Sequence, residues 1–213
     1  MSRANPFQQF VADTARVFRR GTKLPLGVTK FSARSKPPAD APKALIFSPH
    51  PDDECIIGGL ALRLAREAQW NIINVAVTLG SQQARQAARR RELKRACATL
   101  GFGLMVPGKL GLNRINPESR RTDAKRWAAA VRIIAQILTE QPARAIFIPH
   151  AGDAHLTHVG VPWLVMDALK TLPKHFACRV VETEFWGQLA KPNLLVESNP
   201  GDVADLVAAL ACH

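Results

Sequence analysis

The sequence lacks the cysteine patterns that mark a disulfide framework or a zinc knuckle. Its four cysteines are Cys55, Cys97, Cys178 and Cys212, and no two of them form a C-x-x-C pair. This spacing excludes the common cysteine-based zinc motifs. Cys55 and Cys97 fall in predicted helices, where we interpret them as small core residues. Unpaired cysteines are typical of a reducing compartment, so we expect a cytoplasmic location.

Long apolar stretches are also absent. The N-terminus has no continuous apolar segment of the kind found in secretory signals. No run approaches the roughly 20 residues that cross a bilayer, so we expect no integral membrane span. The last predicted helix stops at His213 without a cap, and the pattern is therefore compatible with a domain truncated at its C-terminus.

Acidic residues are scarce relative to basic ones. The 213 residues include 29 Lys and Arg against 17 Asp and Glu, which gives a formal net charge of +12. Such a surplus favours anionic partners such as phosphates, acidic glycans, nucleic acid or a membrane surface. No recognition-helix or aromatic-stacking motif is present, so nucleic acid is not expected as a partner. With 47% hydrophobic residues, the chain can bury one full core, and we expect a single domain over residues 41–213.

Residues 1–40 are predicted to precede that domain as a helix and an extended connector. In "NPFQQFVADTARVFRRG", Asn5 and Pro6 suit the start of a helix and Gly21 suits its end. The apolar residues that share one helical face are Phe7, Phe10, Val11, Val17 and Phe18. We expect this face to pack on the domain or on a partner subunit of a homo-oligomer. A helix that lies on a membrane surface is the alternative.

From Lys43 onward, apolar runs alternate with helical segments. The segments "KALIFS", "NIINVAVTLG" and "RAIFIPH" are predicted strands, and their continuous apolar character is typical of strands buried on both faces. Weaker strands are predicted at "GLMVPG", "ACRVVETEFW" and "NLLVES". One intervening helix is predicted to be capped by Ser81 and ended by Gly101. Strands that alternate with helices form parallel βαβ units. The predicted fold class is therefore α/β, a Rossmann-like, open, mostly parallel sheet flanked by helices.

Polar clusters follow two of these strands directly. The first cluster contains His50, Asp52, Asp53 and Glu54, and the second contains His150, Asp153, His155 and His158. Ligands bind beyond the carboxyl ends of the strands in open α/β sheets, so the active site is predicted at that edge. The clusters converge there if the two strands are neighbours. Imidazole and carboxylate groups are ligands of Zn²⁺ and other divalent first-row metals.

Each cluster taken alone has a plainer interpretation. Acidic residues at a helix N-terminus interact favourably with the helix macrodipole, although this does not explain His50. An isolated H-x-x-H occurs by chance. His150 is either a further ligand or a residue that lines the loop, and we interpret His175 and His213 as surface residues. The occurrence of both clusters after buried strands favours a metal site, in which a neighbouring carboxylate can serve as base and a histidine as electrophile.

These segments resemble the motifs of a known family. "SPHPDDECIIGG" resembles the first motif of the PIG-L/LmbE-like zinc-dependent N-acetylglucosamine deacetylases, and "PHAGDAHLTH" resembles the second. "RRRELKRACATLG" is similar to the family's R-x-x-E-L helix. The resemblance implies a hydrolase that removes an N-acetyl group from a small-molecule N-acetylglucosamine-type sugar conjugate. It also implies Zn²⁺ as the cofactor, with Fe²⁺ as the alternative.

The resemblance carries residue roles to matching positions. The implied metal ligands are His50, Asp53 and His158. The implied general base is Asp52, and His155 is implied as the residue that polarises the oxyanion and protonates the leaving amine. Arg89, the first residue of R-x-x-E-L, is an implied substrate contact, and a solvated helix face is the alternative.

The sequence departs from the family pattern in its second motif. That motif commonly reads H-P-D-H, whereas here His155, Leu156 and Thr157 precede His158. Thr157 cannot supply the charge that orients the catalytic histidine, and Asp153 is a candidate to replace it. The departure motivates an alternative hypothesis, a carbohydrate- or phosphate-binding protein on the same scaffold with weak or no catalysis.

Overall fold

A computed structural model describes residues 5–27 and 37–213 of the chain. The N-terminal segment contains helix α1 (Phe7–Gly21). Part of the predicted connector, residues 28–36, lies outside the described residues. The division of the chain into residues 1–40 and 41–213 stays a prediction.

The described residues form a five-stranded, all-parallel sheet with the strand order β3-β2-β1-β4-β5. The strands are β1 (Lys43–Ser48), β2 (Asn71–Ala76), β3 (Gly103–Met105), β4 (Ala145–Pro149) and β5 (Arg179–Thr183). Strand β1 pairs with β2 on one side and with β4 on the other. The winding direction of the chain therefore reverses between β1 and β4, which is where open α/β sheets bind ligands. The predicted fold class is confirmed.

Helices cover both faces of the sheet. They are α2 (Asp53–Ile56), α3 (Gly58–Glu67), α4 (Gln83–Leu100), α5 (Pro117–Thr122), α6 (Ala124–Glu140), α7 (Leu156–Thr171) and α8 (Pro200–Leu210). Successive residues of a strand point to opposite faces. Accordingly, Leu45 packs in a core with α6 and α7, and Ile46 packs in a second core with α3, α4 and α8. Burial on both faces explains why the strand segments read as continuous apolar runs.

Two local predictions were wrong. Residues 193–198, predicted as a strand, form no strand in the structure, and Leu195 is 88% exposed. Ser81 does not cap α4, because Gln82 occupies the N-cap position and makes no side-chain capping hydrogen bond. Gly101 does end α4, with a left-handed φ of 75° that favours glycine.

The apolar face of α1 does not pack on the described part of the domain. Its five large apolar side chains, defined above from the sequence, are 62–73% exposed. The predicted packing of α1 on the domain is therefore wrong, whereas packing on a partner subunit stays a prediction. None of the helices in residues 5–27 and 37–213 combines the length and the apolar character that a bilayer crossing requires.

Candidate active site

Strands β1 and β4 bring the two polar clusters to one edge of the sheet. His50 follows β1 and Asp53 begins α2, while His155 and His158 stand at the start of α7 after β4. Because β1 and β4 are neighbours, His50 and His158 meet although 108 positions separate them in sequence. The expected convergence of the two clusters is therefore present.

Three donor atoms at this edge form a compact triangle. His50 Nδ1 lies 3.2 Å from His158 Nε2 and 3.6 Å from Asp53 Oδ2. Asp53 Oδ2 lies 3.4 Å from His158 Nε2. Ligand atoms bound about 2.1 Å from a tetrahedral ion are roughly 3.4 Å apart. The donor triangle therefore has the spacing of three ligands on one metal ion.

Two residues of the donor triangle each have a second polar atom, outside the triangle itself, that is buried and not hydrogen-bonded. Asp53 and His158 are 1% and 0% exposed, and neither Asp53 Oδ1 nor His158 Nδ1 has a hydrogen-bond partner among the described residues. A buried, unsatisfied carboxylate oxygen is unfavourable, and a cation would offset that cost. Burial lowers the pKa of His158, which favours the neutral imidazole that binds metal. The residues present thus fit a divalent ion.

Asp153 supports His158 from the side opposite the donor triangle. Its Oδ1 lies 3.5 Å from His158 Nδ1 and accepts a hydrogen bond from the His155 backbone N–H at 3.0 Å. Its Oδ2 accepts from the backbone N–H groups of Trp186 and Gly187. Burial alone would raise the pKa of Asp153, but the backbone donors and His158 bring it below its ordinary value. The carboxylate contacts His158 and the backbone of His155, so the predicted orientation of the His155 ring by Asp153 was wrong.

His155 is instead positioned by the start of α7. It occupies the N-cap position, and its Nδ1 accepts a hydrogen bond from the Thr157 backbone N–H at 3.2 Å. This contact places the proton of the neutral ring on Nε2. The ring stands edge-on to that of His50, with 4.9 Å between centroids. Nitrogen atoms of His50, His155 and His158 lie within 4.8 Å of one another, so three histidines are the alternative donor set, although His155 is exposed.

Asp52 adjoins the donor triangle in a strained backbone conformation. Its φ is 109° and its ψ is −30°, a combination that side-chain-bearing residues rarely adopt and that clusters at functional sites. Burial, and then the charge of Asp53, raises the pKa of Asp52 to about 6. The residue lines a pocket of about 400 Å³, the base pocket, with Ser81, Gln82, Arg85, Arg89, Glu92 and His213.

Comparison with known proteins identifies the family. The family model described as "PIG-L: GlcNAc-PI de-N-acetylase" matches residues 45–169, which is more than half of the chain. This chain belongs to the PIG-L family. All the site residues predicted from the sequence lie within the matched segment. No curated protein sequence matches the chain significantly.

Solved structures share the fold of this PIG-L family member. A conserved protein of Thermus thermophilus is 21% identical, with 79% of this chain and 77% of that chain covered and a TM-score of 0.56. The N,N'-diacetylchitobiose deacetylase of Pyrococcus horikoshii is 18% identical, with 95% and 78% covered and a TM-score of 0.57. A zinc-inhibited form of a teicoplanin deacetylase is 17% identical, with 80% and 83% covered and a TM-score of 0.55. At these identities the likeness shows a common fold.

Arg89 of this PIG-L family member lies at the base pocket. Its Nη2 donates to the Pro51 carbonyl at 3.0 Å and lies 3.8 Å from Asp52 Oδ2. Gly80 makes room for it, because a Cβ at that position would stand 2.7 Å from Arg89 Nη1. The guanidinium therefore braces the loop that carries Asp52 and also faces the base pocket.

His150 lines the loop of the second motif and stands outside the donor triangle. Its Nε2 donates to the Gly187 carbonyl at 2.8 Å. The neighbouring Phe185 places its ring edge-on against His158, with 5.0 Å between centroids. The segment around residues 185–187 therefore forms one wall of the site in this PIG-L family fold.

Sequence reasoning missed His213, which was predicted as a surface residue. Its Nε2 donates to the buried carboxylate of Glu54 at 2.9 Å, and its side chain is only 9% exposed. Ion pairs of Arg66 with Asp202 and Asp205 fix α8 on the domain and so bring His213 to the base pocket. The local sequence pattern does not indicate this contact, because His213 and Glu54 are 159 positions apart in the chain.

A larger groove of about 1210 Å³ runs along α7 and begins at Leu156, next to His155. Within it, Asp167 accepts hydrogen bonds from Arg120 at 2.8 Å and from Trp127 Nε1 at 3.0 Å. Lys170 donates to the same carboxylate at 3.3 Å. This network ties α5, α6 and α7 together beside the site.

Proposed function

We propose that the protein is a metal-dependent N-deacetylase that removes an N-acetyl group from an N-acetylglucosamine-type sugar conjugate. The donor triangle of His50, Asp53 and His158, with the Asp52 carboxylate beside it, is the observation that carries the proposal. Membership of the PIG-L family supports the reaction class. The deacetylases among the structures of similar fold support the substrate class.

The donor triangle is the proposed metal site. Zn²⁺ is the first candidate and Fe²⁺ the alternative, because both accept imidazole and carboxylate ligands. When bound, such an ion supplies Lewis-acid chemistry, since it lowers the pKa of a water molecule and polarises a carbonyl group. One structure of similar fold is described as a zinc-inhibited deacetylase, so the identity of the metal needs a direct test.

Asp52 is the proposed general base. Asp53 Oδ2 is engaged in the donor triangle and accepts the His50 backbone N–H at 2.7 Å. The one ion pair of Asp52 among the described residues is with Arg89, at 3.8 Å. The Asp52 carboxylate is thus free to accept a proton from the attacking water, which is the task of a general base in hydrolysis.

His155 is the proposed oxyanion donor. The hydrogen bond from the Thr157 N–H leaves the neutral ring with one proton, on Nε2. That N–H can donate to the acetyl oxygen as the oxygen gains negative charge. Protonation of the leaving amine by His155 requires the imidazolium, which would lose the hydrogen bond from Thr157. Asp52, once it has accepted the water proton, is the alternative proton donor to the amine.

The base pocket is the proposed place of the sugar. Arg85 and Arg89 supply cationic donors there, and Ser81 and Gln82 supply neutral polar groups. Such groups suit the hydroxyls of a small sugar conjugate. Arg89 is therefore the proposed substrate contact, in addition to its role in bracing the Asp52 loop.

A deacetylation screen tests the proposal. Metal-free protein would be supplied with Zn²⁺ or Fe²⁺ and with N-acetylglucosamine, chitooligosaccharides or glycosyl-inositol compounds, and free amine would be measured. We expect amine release that depends on the divalent ion. Stoichiometric metal without amine release from any of these compounds would favour the alternative, a carbohydrate- or phosphate-binding protein on this scaffold.

A further inference from the structure

Helix α1 is amphipathic, and its apolar face is uncovered. With about 100° per residue, Phe7, Phe10, Val11, Val17 and Phe18 occupy an arc of about 120°. Each of these side chains is 62–73% exposed. No residue of α1 is buried, so the described part of the chain offers this face no partner.

The comparison with α6 shows what such a face normally does. Helix α6 has the same pattern, with apolar residues on one side and polar residues on the other. In α6 the apolar side is covered, as Ile134 and Leu138 are both 0% exposed. The apolar side is therefore buried in α6 and exposed in α1, although the two helices have the same pattern of apolar and polar residues. The exposed apolar face of α1 therefore indicates a binding partner outside the described residues.

The polar side of α1 is cationic. Arg16 forms an ion pair with Asp13 at 2.6 Å. Arg19 and Arg20, at the end of the same helix, and Lys23, just beyond it, make no ion pair with a described residue. Large apolar residues on one side and unpaired cations on the other are the features of helices that lie in a membrane interface.

We propose that α1 is a docking helix for an anionic phospholipid surface. Its apolar face would enter the boundary between headgroups and acyl chains, and Arg19, Arg20 and Lys23 would remain among the lipid phosphates. A second copy of the chain is a poorer occupant. Each copy carries a formal net charge of +12, so two copies repel one another. Self-pairing would also bring unpaired cations together.

Vesicle co-sedimentation of the full chain tests this proposal. We expect binding to vesicles of phosphatidylglycerol mixed with phosphatidylcholine, weaker binding to pure phosphatidylcholine, and weakening by salt. The double variant Phe10→Ser, Phe18→Ser should lose at least about tenfold in affinity for the mixed vesicles, because it removes two of the three phenylalanine side chains of the apolar face. The double variant Arg19→Gln, Arg20→Gln should bind the mixed vesicles with roughly thirtyfold lower affinity and should bind pure phosphatidylcholine vesicles with unchanged affinity.

Matched controls separate lipid docking from other effects. Lys174→Gln with Lys191→Gln makes the same change in net charge at exposed positions outside α1 and should leave vesicle affinity unchanged. Circular dichroism and thermal unfolding should show native folding in every variant, since α1 adds nothing to the core. Equal binding to neutral and anionic vesicles, or no binding, would overturn the proposal. So would native self-association that the Phe10→Ser, Phe18→Ser variant abolishes. Deacetylation of a soluble substrate should be unaffected, so the outcome is independent of the proposed function.

Discussion

The carboxylate of Asp153 stands behind the imidazole of His158, with 3.5 Å between Asp153 Oδ1 and His158 Nδ1. The other ring nitrogen of His158 belongs to the donor triangle. A metal-binding histidine commonly has such a carboxylate on its second nitrogen, which fixes the tautomer and makes the ring a better ligand. Asp153 is itself held by three backbone N–H groups, so its position is firmly set.

Replacement of Asp153 by Asn should weaken metal binding by about 10- to 100-fold. The amide keeps one oxygen, which can still accept from Trp186 and Gly187. Its NH₂ group replaces the charged oxygen that faces His158 Nδ1 and accepts from the His155 N–H. Competition with a chelator measures the Kd, and thermal unfolding of the metal-free variant separates this effect from loss of folding. Asp40→Asn, at an exposed position, is the matched control. An unchanged Kd in Asp153→Asn would contradict the proposed support of His158.

Replacement of His158 by Ala should abolish stoichiometric metal binding. The change removes the most buried donor of the triangle and leaves only His50 and Asp53. Metal content after dialysis against Zn²⁺ measures the effect. His175→Ala, at an exposed position far from the site in sequence, should bind metal normally. Retention of one tightly bound ion by His158→Ala would favour a different donor set.

Replacement of Asp52 by Asn should retain the metal and reduce turnover by at least about 100-fold, the scale of general base catalysis. The amide has nearly the shape of the carboxylate but cannot accept the water proton. Metal analysis and amine release, measured on the same preparation, check both halves of this expectation. Substantial turnover by the Asp52→Asn variant would show that Asp52 is not the general base.

Replacement of Thr157 by Ala should change turnover by less than about threefold, whereas His155→Ala should reduce it by about 100-fold or more. The reason is that Thr157 positions His155 through its backbone N–H, which alanine retains. Steady-state amine release from both variants measures the contrast. A large loss of turnover in Thr157→Ala would show that the Thr157 hydroxyl takes part in the reaction.

Asp167 should make stability depend on pH in acid. The hydrogen bond from Arg120 is the largest cause that lowers the pKa of Asp167 from 3.8 to about 2, with further donors in Trp127 and Lys170. A lowered pKa in the folded state stabilises the protein above the unfolded pKa, and this contribution is lost as pH falls from about 4 to about 2. Because Arg120 is partly exposed and solvent screens the pair, Asp167→Asn should remove about 1 kcal/mol of stability at neutral pH. It should also flatten the dependence of stability on pH in that window. Urea unfolding at a series of pH values between about 4 and 2 measures the free energy of unfolding. If its dependence on pH is the same in Asp167→Asn as in the unchanged protein, Asp167 does not cause that dependence.

Sequence alone predicted the parts of the fold that depend on local pattern and general topology. The segment "KALIFS" coincides with β1 (Lys43–Ser48), because burial on both faces gives an unmistakable apolar run. The convergence of His50 with His158 followed from the rule that the carboxyl ends of parallel strands share one edge. It required only that β1 and β4 be neighbours, as they are.

The remaining features depend on packing between distant segments, which local pattern does not encode. Leu194 and Leu195 have the apolar character of a strand, yet both are exposed and no strand forms there. His213 reaches Glu54 only because ion pairs dock α8 on the domain. Likewise, the contact of Asp153 with His158 depends on how the loop after β4 folds back on itself.

The pairing of β1 with β4 has a consequence for folding. His50 and Asp53 come from one side of this pairing and His158 from the other, and the strands join in the register Ala44 with Ala145. Contacts between such distant segments form late and slowly, so an unfolded chain does not gather the three donors. An ion bound there would stabilise the native state by mass action. It would leave when β1 and β4 separate, and its release would report the opening of the sheet at its centre.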